Sequence, residues 1–236
     1  MTQFATALFD NDGCLIDSEH LHFQAIDAVT TEHGGGHIST HEWWEHCSGK
    51  GHKAIYTWLT GKTPRFGHAI SENDFTRICL ASYERLIDIG LLRIKPGMME
   101  VCQRIQKTGI PMATVSNTLH DTVVKGFNSV GLLPYMQAII CPDDLPIGML
   151  RKPSPAPWIY AARKLCGGSV KMTNVLAFED SGAGVWSAYV ARCRVHQIRY
   201  HLFESEKYVA PANPCAVTHS ATPTQLLLAM DKLFPC

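Results

Sequence analysis

Short apolar runs and amphipathic stretches follow one another along this chain in an order that predicts its architecture. Phe4-Ala5-Thr6-Ala7-Leu8-Phe9 is a mostly apolar run of strand length, the pattern of a strand buried in a parallel sheet. It stops at Asp10-Asn11-Asp12-Gly13, two carboxylates one residue apart followed by a residue that permits a turn. From residue 18 to residue 92 the text is helical. Phe23, Ile26 and Val29 recur at intervals of three until Gly34-Gly35-Gly36 ends that helix. A second helix is expected over 40–47, and a third over 53–59, broken by Gly61 and Pro64. The next begins at Ser71, with Asp74 three residues on as in a capping box. Its Phe75, Ile78, Cys79, Ser82, Leu86 and Ile89 mark one apolar face. Four successive helices predict a small bundle.

Lys95-Pro96-Gly97 punctuates the return to alternation. Helices are expected over 98–108, 121–130, 154–165, 183–191 and 224–234, and strands over 110–115, 137–141, 174–178 and 195–200. Residues 201–220 show no clear periodicity, and no internal repeat is visible. Strands alternating with helices predict an α/β fold, a doubly wound parallel sheet of Rossmann type. Residues 1–16 and 94–236 would form this core, and residues 17–93 a helical domain inserted after the first strand.

Composition narrows the setting more than the function. The 236 residues are 46% hydrophobic and 18% charged with zero formal net charge, ordinary for a soluble globular protein and pointing to neither nucleic acid nor membrane. No apolar run reaches the roughly 20 residues needed to span a bilayer. The nine cysteines contain no Cys-x-x-Cys pair, and no secretory leader precedes the first strand, so reduced thiols in the cytoplasm are expected, without disulfides or structural zinc. His41-Glu42-Trp43-Trp44-Glu45-His46 superficially suggests a zinc protease. Two histidines sharing a metal on one helical face stand four apart, whereas these stand five apart and are expected to point in different directions.

On its own, Asp10-Asn11-Asp12-Gly13 is either a polar turn closing a strand or a reactive site. Three further polar signals, at or near predicted strand ends, tip the balance: Ser116-Asn117, Lys152 in Arg151-Lys152-Pro153, and Glu179-Asp180-Ser181. In open α/β sheets ligands sit beyond the carboxyl ends of the strands. Displacing a phosphate ester needs a nucleophile, a counter-charge, a proton donor for the leaving alcohol and a donor to the transferring group. A carboxylate can attack phosphorus and form an acyl phosphate, and Asp10 is placed for it. Like charges at about 4 Å repel by roughly 4 kcal/mol at an effective dielectric of about 20, so the attack needs a cation. Mg²⁺ is bound by hard oxygens, which Asp10, Glu179 and Asp180 could supply, with Lys152 neutralising remaining charge.

These motifs resemble the haloacid dehalogenase superfamily, in the branch of β-phosphoglucomutase-like phosphatases with a helical cap. The resemblance covers the chain from Phe4 to about Tyr200. It rests on Phe9-Asp10-Asn11-Asp12-Gly13-Cys14-Leu15-Ile16-Asp17-Ser18-Glu19, Thr114-Val115-Ser116-Asn117, Lys152-Pro153-Ser154-Pro155 and Glu179-Asp180-Ser181, in that order. It implies Asp10 as nucleophile and metal ligand, and Asp12 as the residue that protonates the leaving oxygen, later activates water, and offers a backbone carbonyl to Mg²⁺. Ser116 and the amide of Asn117 would hold phosphoryl oxygens, Lys152 would steady them and Asp10, and Asp180 would complete the metal site with Glu179 as direct ligand or as support. The helical insertion would be the cap that closes over the cleft and selects the substrate. Ser48-Gly49-Lys50-Gly51-His52 stands where the family carries its specificity loop, so either Lys50 and His52 bind substrate or the loop is merely solvated.

Three departures stand out. Arg151 replaces a usual glycine, Ala156 a usual acid, and Ala191-Arg192 a usual Ala-Gly, which puts local loop geometry in question. The expectation is a Mg²⁺-dependent phosphatase for a small-molecule phosphate ester, with no nucleic-acid or membrane partner, acting as a monomer or weak dimer. A phosphomutase of the β-phosphoglucomutase type would use the same residues. A signalling receiver module also gathers acids, a hydroxyl and a lysine at strand ends, but lacks the long insertion and the Asp-x-Asp order; a catalytically silent binding protein would not need every catalytic side chain.

Overall fold

The computed structural model describes residues 4–201 and 212–234, so Cys236 and most of the aperiodic stretch after residue 201 lie outside the described residues. Six parallel strands form one sheet: β1 (Thr6–Phe9), β2 (Met112–Val115), β3 (Ala138–Ile140), β4 (Val175–Glu179), β5 (Arg194–Ile198) and β6 (Thr218–Ser220), in the order β3-β2-β1-β4-β5-β6. The chain winds outward from β1 to β3, returns to β4 on the other side of β1, and winds outward again. Strand order therefore reverses between β1 and β4, which is where open α/β sheets place their ligands. Every residue of β1, β2 and β4 is buried, the burial expected of apolar runs covered on both faces. Phe9 and Phe178, opposite one another in β1 and β4, stack with centroids 4.7 Å apart. The sixth strand fell in the segment without periodicity: it is three residues long, it lies at the sheet edge, and Thr218 and His219 are exposed, so no apolar pattern marks it.

The chain divides into two compact units, Met1–Asp17 with Arg93–Cys236, and Ser18–Leu92. The second is all helical: α1 (Glu19–Glu32), α2 (Thr40–Glu42), a π-helical turn (Trp43–Cys47), α3 (His52–Lys62), α4 (Pro64–Ala69) and α5 (Glu72–Asp88). The capping box read at Ser71 is half made, because the Ser71 hydroxyl accepts the Asp74 N–H at 3.1 Å while the Asp74 carboxylate accepts from the Ser71 hydroxyl. The buried stripe of α5 differs from the expected one: Phe75 and Cys79 continue into Tyr83 and Ile87, and Ile89 is exposed. A strict four-residue step follows the groove between neighbouring helices, and Tyr83 is drawn into it by stacking on His22 of α1 at 4.0 Å. Gly61 does not break the third helix, which runs to Lys62. The helix expected over 40–47 widens to π geometry at Trp43, and both His41 and His46 approach Oε2 of Glu45, at 3.5 and 3.6 Å, rather than pointing apart.

In the sheet-bearing unit the helices are α6 (Met98–Lys107), α7 (His120–Val130), α8 (Ala156–Leu165), α9 (Gly182–Val190) and α10 (Pro223–Leu233). Trp158 of α8 is fully buried among Leu8, Val115, Ile140 and Val185, and its indole N–H donates to Ser187 Oγ of α9 at 3.0 Å. Among the described residues no helix is long and apolar enough to cross a membrane.

One departure noted in the sequence has a structural consequence at the end of α9. Arg192 N–H bonds the Tyr189 carbonyl at 2.8 Å and Cys193 N–H the Ala188 carbonyl at 3.0 Å, the paired bonds of a Schellman cap. Arg192 stands at the left-handed position of that cap, with φ 66°, where an L side chain costs about 1–2 kcal/mol and glycine does not. Glycine gives back about 0.5–1 kcal/mol in unfolded-chain entropy. Arg192→Gly is therefore expected to stabilise the protein by about 0.5–1 kcal/mol, read as a higher denaturation midpoint at unchanged slope.

Candidate active site

The ends of β1, β2 and β4 are aligned by backbone bonds that continue just past the strands. Asp10 N–H donates to the Phe178 carbonyl at 2.9 Å, Ser116 N–H to the Ile140 carbonyl at 2.9 Å, and Thr114 Oγ1 to the Phe9 carbonyl at 3.0 Å. Asp10, Ser116 and Glu179 thus emerge side by side at the carboxyl ends of the central strands. Lys152 reaches the same place from the loop before α8. Its Nζ donates to Asp10 Oδ1 and, at 2.9 Å, to Glu179 Oε1. One carboxylate oxygen from each of Asp10, Glu179 and Asp180 lies within 4.8 Å of the others.

All four charged groups are out of water: Asp10 is 7% exposed, Lys152 7%, Glu179 1% and Asp180 9%. An isolated ion pair would pull its acid down. Here burial comes first and, with the neighbouring Glu179, outweighs the pull of Lys152, so the Asp10 carboxyl is pushed up to about 8. Burial pulls the Lys152 ammonium down, but the Asp10 and Glu179 carboxylates outweigh it and hold the ammonium above the ordinary lysine value. Among the described residues, three buried acidic side chains gather here, and Lys152 bonds two of them. An all-oxygen donor set of acidic side chains fits a hard divalent cation.

Local chemistry holds the acids in place. Glu179 Oε2 accepts from the Ser181 N–H and hydroxyl, both at 3.0 Å, and the Ser181 hydroxyl accepts the Gly184 N–H at 3.1 Å as the N-cap of α9. Residue 184 must be glycine, because a Cβ there would stand 1.7 Å from Glu179 Oε1. Gly13 meets two demands at once: its φ is +77°, and a Cβ would stand 2.3 Å from Asp180 Oδ2. The Asp180 carbonyl accepts from Gln197 Nε2 at 3.1 Å. His201 Nε2 is 4.0 Å from Asp180 Oδ2, and burial pushes the imidazole down to about 3, so it is neutral near pH 7.

Asp12 is held apart from this cluster. Its Oδ2 accepts from Thr118 Oγ1 at 2.7 Å and from Asn11 Nδ2 at 3.0 Å. Ser116 Oγ accepts the Thr118 N–H at 2.9 Å. The Asn117 side chain is spent on the Lys152 carbonyl, at 3.0 Å, tying the β2 turn to the lysine loop. Lys50 and His52 belong to the helical unit. There the Lys50 ammonium donates to the Glu45 carbonyl at 2.8 Å, and His52, at the start of α3, sets its ring edge-on to Phe75 at 6.2 Å. Burial, with His22 adding to it, pushes the His52 imidazole down to about 4, so it is neutral near pH 7.

Sequence reasoning quoted Ser181 in its motif without giving it a role, and missed Thr118 and Gly184. Ser181 and Gly184 carried a signal, an N-cap serine with a glycine three residues on at the start of α9. Thr118 carried none, because an exposed-loop threonine is common.

Two outcomes follow from this geometry. Gly184→Ala is expected to cost about 1–3 kcal/mol by overpacking and to reduce the melting-temperature rise on adding a divalent cation, because Glu179 must leave its place. Asp10 gives a pH signature in chelator. With a folded-state value about 8 against 3.8 for the ordinary carboxyl, its protonation stabilises the fold fully below the lower value, and that stability is lost as pH rises through about 8. The melting temperature in chelator is therefore expected to fall from pH 5 to pH 9 by more in the unaltered protein than in Asp10→Asn.

A family model described as haloacid dehalogenase-like hydrolase matches residues 4–191. Among curated relatives, validoxylamine A 7'-phosphate phosphatase of Streptomyces hygroscopicus subsp. limoneus is 27% identical over 187 residues, 78% of this chain and 81% of that one. A phosphorylated carbohydrates phosphatase of Thermotoga maritima is 23% identical over 190 residues, 77% of this chain and 78% of that one. The crystal structure of CbbY from Rhodobacter sphaeroides in complex with phosphate superposes with a TM-score of 0.76 at 21% identity, covering 94% of this chain and 96% of that one. At such identity the superposition speaks for the fold, and the family match, running from before β1 to the end of α9, speaks for descent: the chain belongs to the haloacid dehalogenase-like hydrolases.

Proposed function

We propose that this protein is a Mg²⁺-dependent phosphatase that hydrolyses a small phosphorylated metabolite, a sugar phosphate or similar organic phosphate, through an aspartyl-phosphate on Asp10. The observation that carries this reading is the pairing of Lys152 with both Asp10 and Glu179 in a buried cluster, while Asp12 is held separately by Thr118. Two carboxylates in different environments suit two different tasks. The two curated relatives described above are phosphatases by name.

In this scheme an Asp10 oxygen forms a bond to phosphorus as the bond from phosphorus to the ester oxygen breaks, and Asp12 gives its proton to the departing alcohol. Asp12, now a carboxylate, then takes a proton from water, whose oxygen attacks the acyl phosphate, releasing inorganic phosphate and restoring Asp10. The Ser116 hydroxyl and the Asn117 backbone amide donate to phosphoryl oxygens, and the Lys152 ammonium lowers repulsion between them and Asp10. A divalent cation held by Asp10, Asp180, the Asp12 carbonyl and Glu179, directly or in support, would supply the charge that keeps Asp10 ionised and draws in the phosphate. The helical unit acts as a cap, with Lys50 and His52 in substrate choice. We place the enzyme in the cytoplasm, a setting suited to the unbridged cysteines among the described residues, as a monomer or weak dimer.

A screen of phosphorylated metabolites with phosphate detection tests the reading. Asp10→Asn is expected to abolish phosphate release, by more than about 10⁴-fold, and Asp12→Ala to slow it by about 10²–10⁴-fold; chelation should silence the unaltered enzyme until Mg²⁺ is restored. Turnover unchanged in Asp10→Asn overturns the assignment, and an isomeric product without phosphate release identifies a phosphomutase.

A further inference from the structure

A second group of side chains of metal-ligating type lies beyond the ends of β2 and β3, and nothing in the proposed phosphatase reaction uses it. His120 begins α7, Cys141 follows β3, and Asp144 closes the short turn after Cys141. One ligand atom from each of the three lies within 4.8 Å of the others. Asp144 Oδ2 already gathers two donors, His120 Nδ1 at 2.7 Å and the Cys141 N–H at 2.9 Å, and Asp143 accepts the His120 N–H at 3.1 Å. Cys141 is 1% exposed, while His120 and Asp144 are half-buried, so the group has a closed sulfur side and an open nitrogen and oxygen side. Its members come from two loops of one unit, fixed by the register of β2 and β3.

The chemistry of this set differs from that of the Asp10 cluster. Asp10, Glu179 and Asp180 offer only hard oxygen, which suits Mg²⁺. Thiolate, imidazole and carboxylate together suit a borderline-soft ion of the zinc class, held by three protein ligands with a fourth position open to water. Zinc ligand distances of about 2.0–2.3 Å put tetrahedral ligand atoms about 3.3–3.8 Å apart. The His120 Nδ1–Asp144 Oδ2 contact of 2.7 Å opens to reach that range.

We propose that His120, Cys141 and Asp144 form a second cation site, for a thiophilic divalent ion such as Zn²⁺, distinct from the all-oxygen cluster at Asp10. Binding forms the sulfur–metal bond as the thiol proton passes to solvent, moves the imidazole proton from Nδ1 to Nε2 through solvent so that Nδ1 can bind, replaces the His120–Asp144 hydrogen bond by two metal bonds, and frees metal-bound waters; no electron is transferred. The occupied site braces the turn between β2 and α7. That turn carries Ser116 and Thr118, and Thr118 holds Asp12. Soft and hard cations thus have separate places in one unit, the soft one positioned to stiffen the segment that orients the hydroxyl and the second carboxylate.

Cobalt tests this, because a thiolate–cobalt bond produces a charge-transfer absorption that oxygen ligands do not. The full chain, reduced and saturated with Mg²⁺, is titrated with Co²⁺ and then with Zn²⁺. One equivalent of Co²⁺ should raise the sulfur-to-cobalt band, and Zn²⁺ should remove it; Cys141→Ser should abolish the band and His120→Asn should weaken Co²⁺ binding by at least about 10-fold. No band in the unaltered protein, or a band persisting in Cys141→Ser, overturns the site. Should Cys141→Ser fail to fold, His120→Asn decides, since its ring is half-exposed at a helix start: undiminished affinity there overturns the proposal as well. The titration needs no substrate, so it stands or falls independently of the phosphatase reading.

Discussion

The ammonium of Lys152, buried between the carboxylates of Asp10 and Glu179, is the interaction on which the arrangement at the strand ends depends. Removing charges from water costs several kcal/mol each, and the cost is recovered only when geometry is close and the remaining lone pairs are used. Here they are used. Glu179 takes one bond from Lys152 and two from Ser181, and the Asp10 backbone is locked to β4 through Phe178. Asp180 adds a third acidic side chain within 4.8 Å of the other two, an oxygen-rich donor set of the kind a divalent cation takes.

The constraint propagates outward into residues that touch no substrate. Holding Glu179 against Lys152 brings its carboxylate over the first turn of α9, which excludes a side chain at residue 184. Holding Asp180 beside the β1 turn excludes one at residue 13. Asn117 joins the β2 turn to the lysine loop, and Lys152 in turn bonds Asp10 after β1 and Glu179 of β4. Strand order reverses between β1 and β4, and because these two strands are paired, Asp10 and Glu179 stand beside each other although most of the chain lies between them.

Much of this was legible along the chain. The apolar runs of β1, β2 and β4 marked buried strands, the β-α alternation marked a parallel sheet, and polar residues at strand ends marked the cluster. The failures have physical causes. Strand β6 is short and half-exposed, so no apolar run announced it. Tyr83 and Ile87 replaced Leu86 and Ile89 on the buried stripe because the partner helix, not the average helical period, decides which side chains are covered. The π turn at Trp43 and the left-handed Arg192 are backbone conformations that side-chain periodicity does not encode.

The sequence by itself determined the class of fold, the chemical types gathered at the strand ends and their order, because hydrophobic periodicity and strand-end polarity are local properties of the chain. Tertiary structure alone decided how those groups meet. That Lys152 bonds two acids, that Asp12 is turned to Thr118, that the Asn117 side chain holds a loop, and that His120 lies beside Cys141 and Asp144 all follow from strand register and loop closure. Distances between residues far apart in the chain are set by packing, and no local pattern carries them.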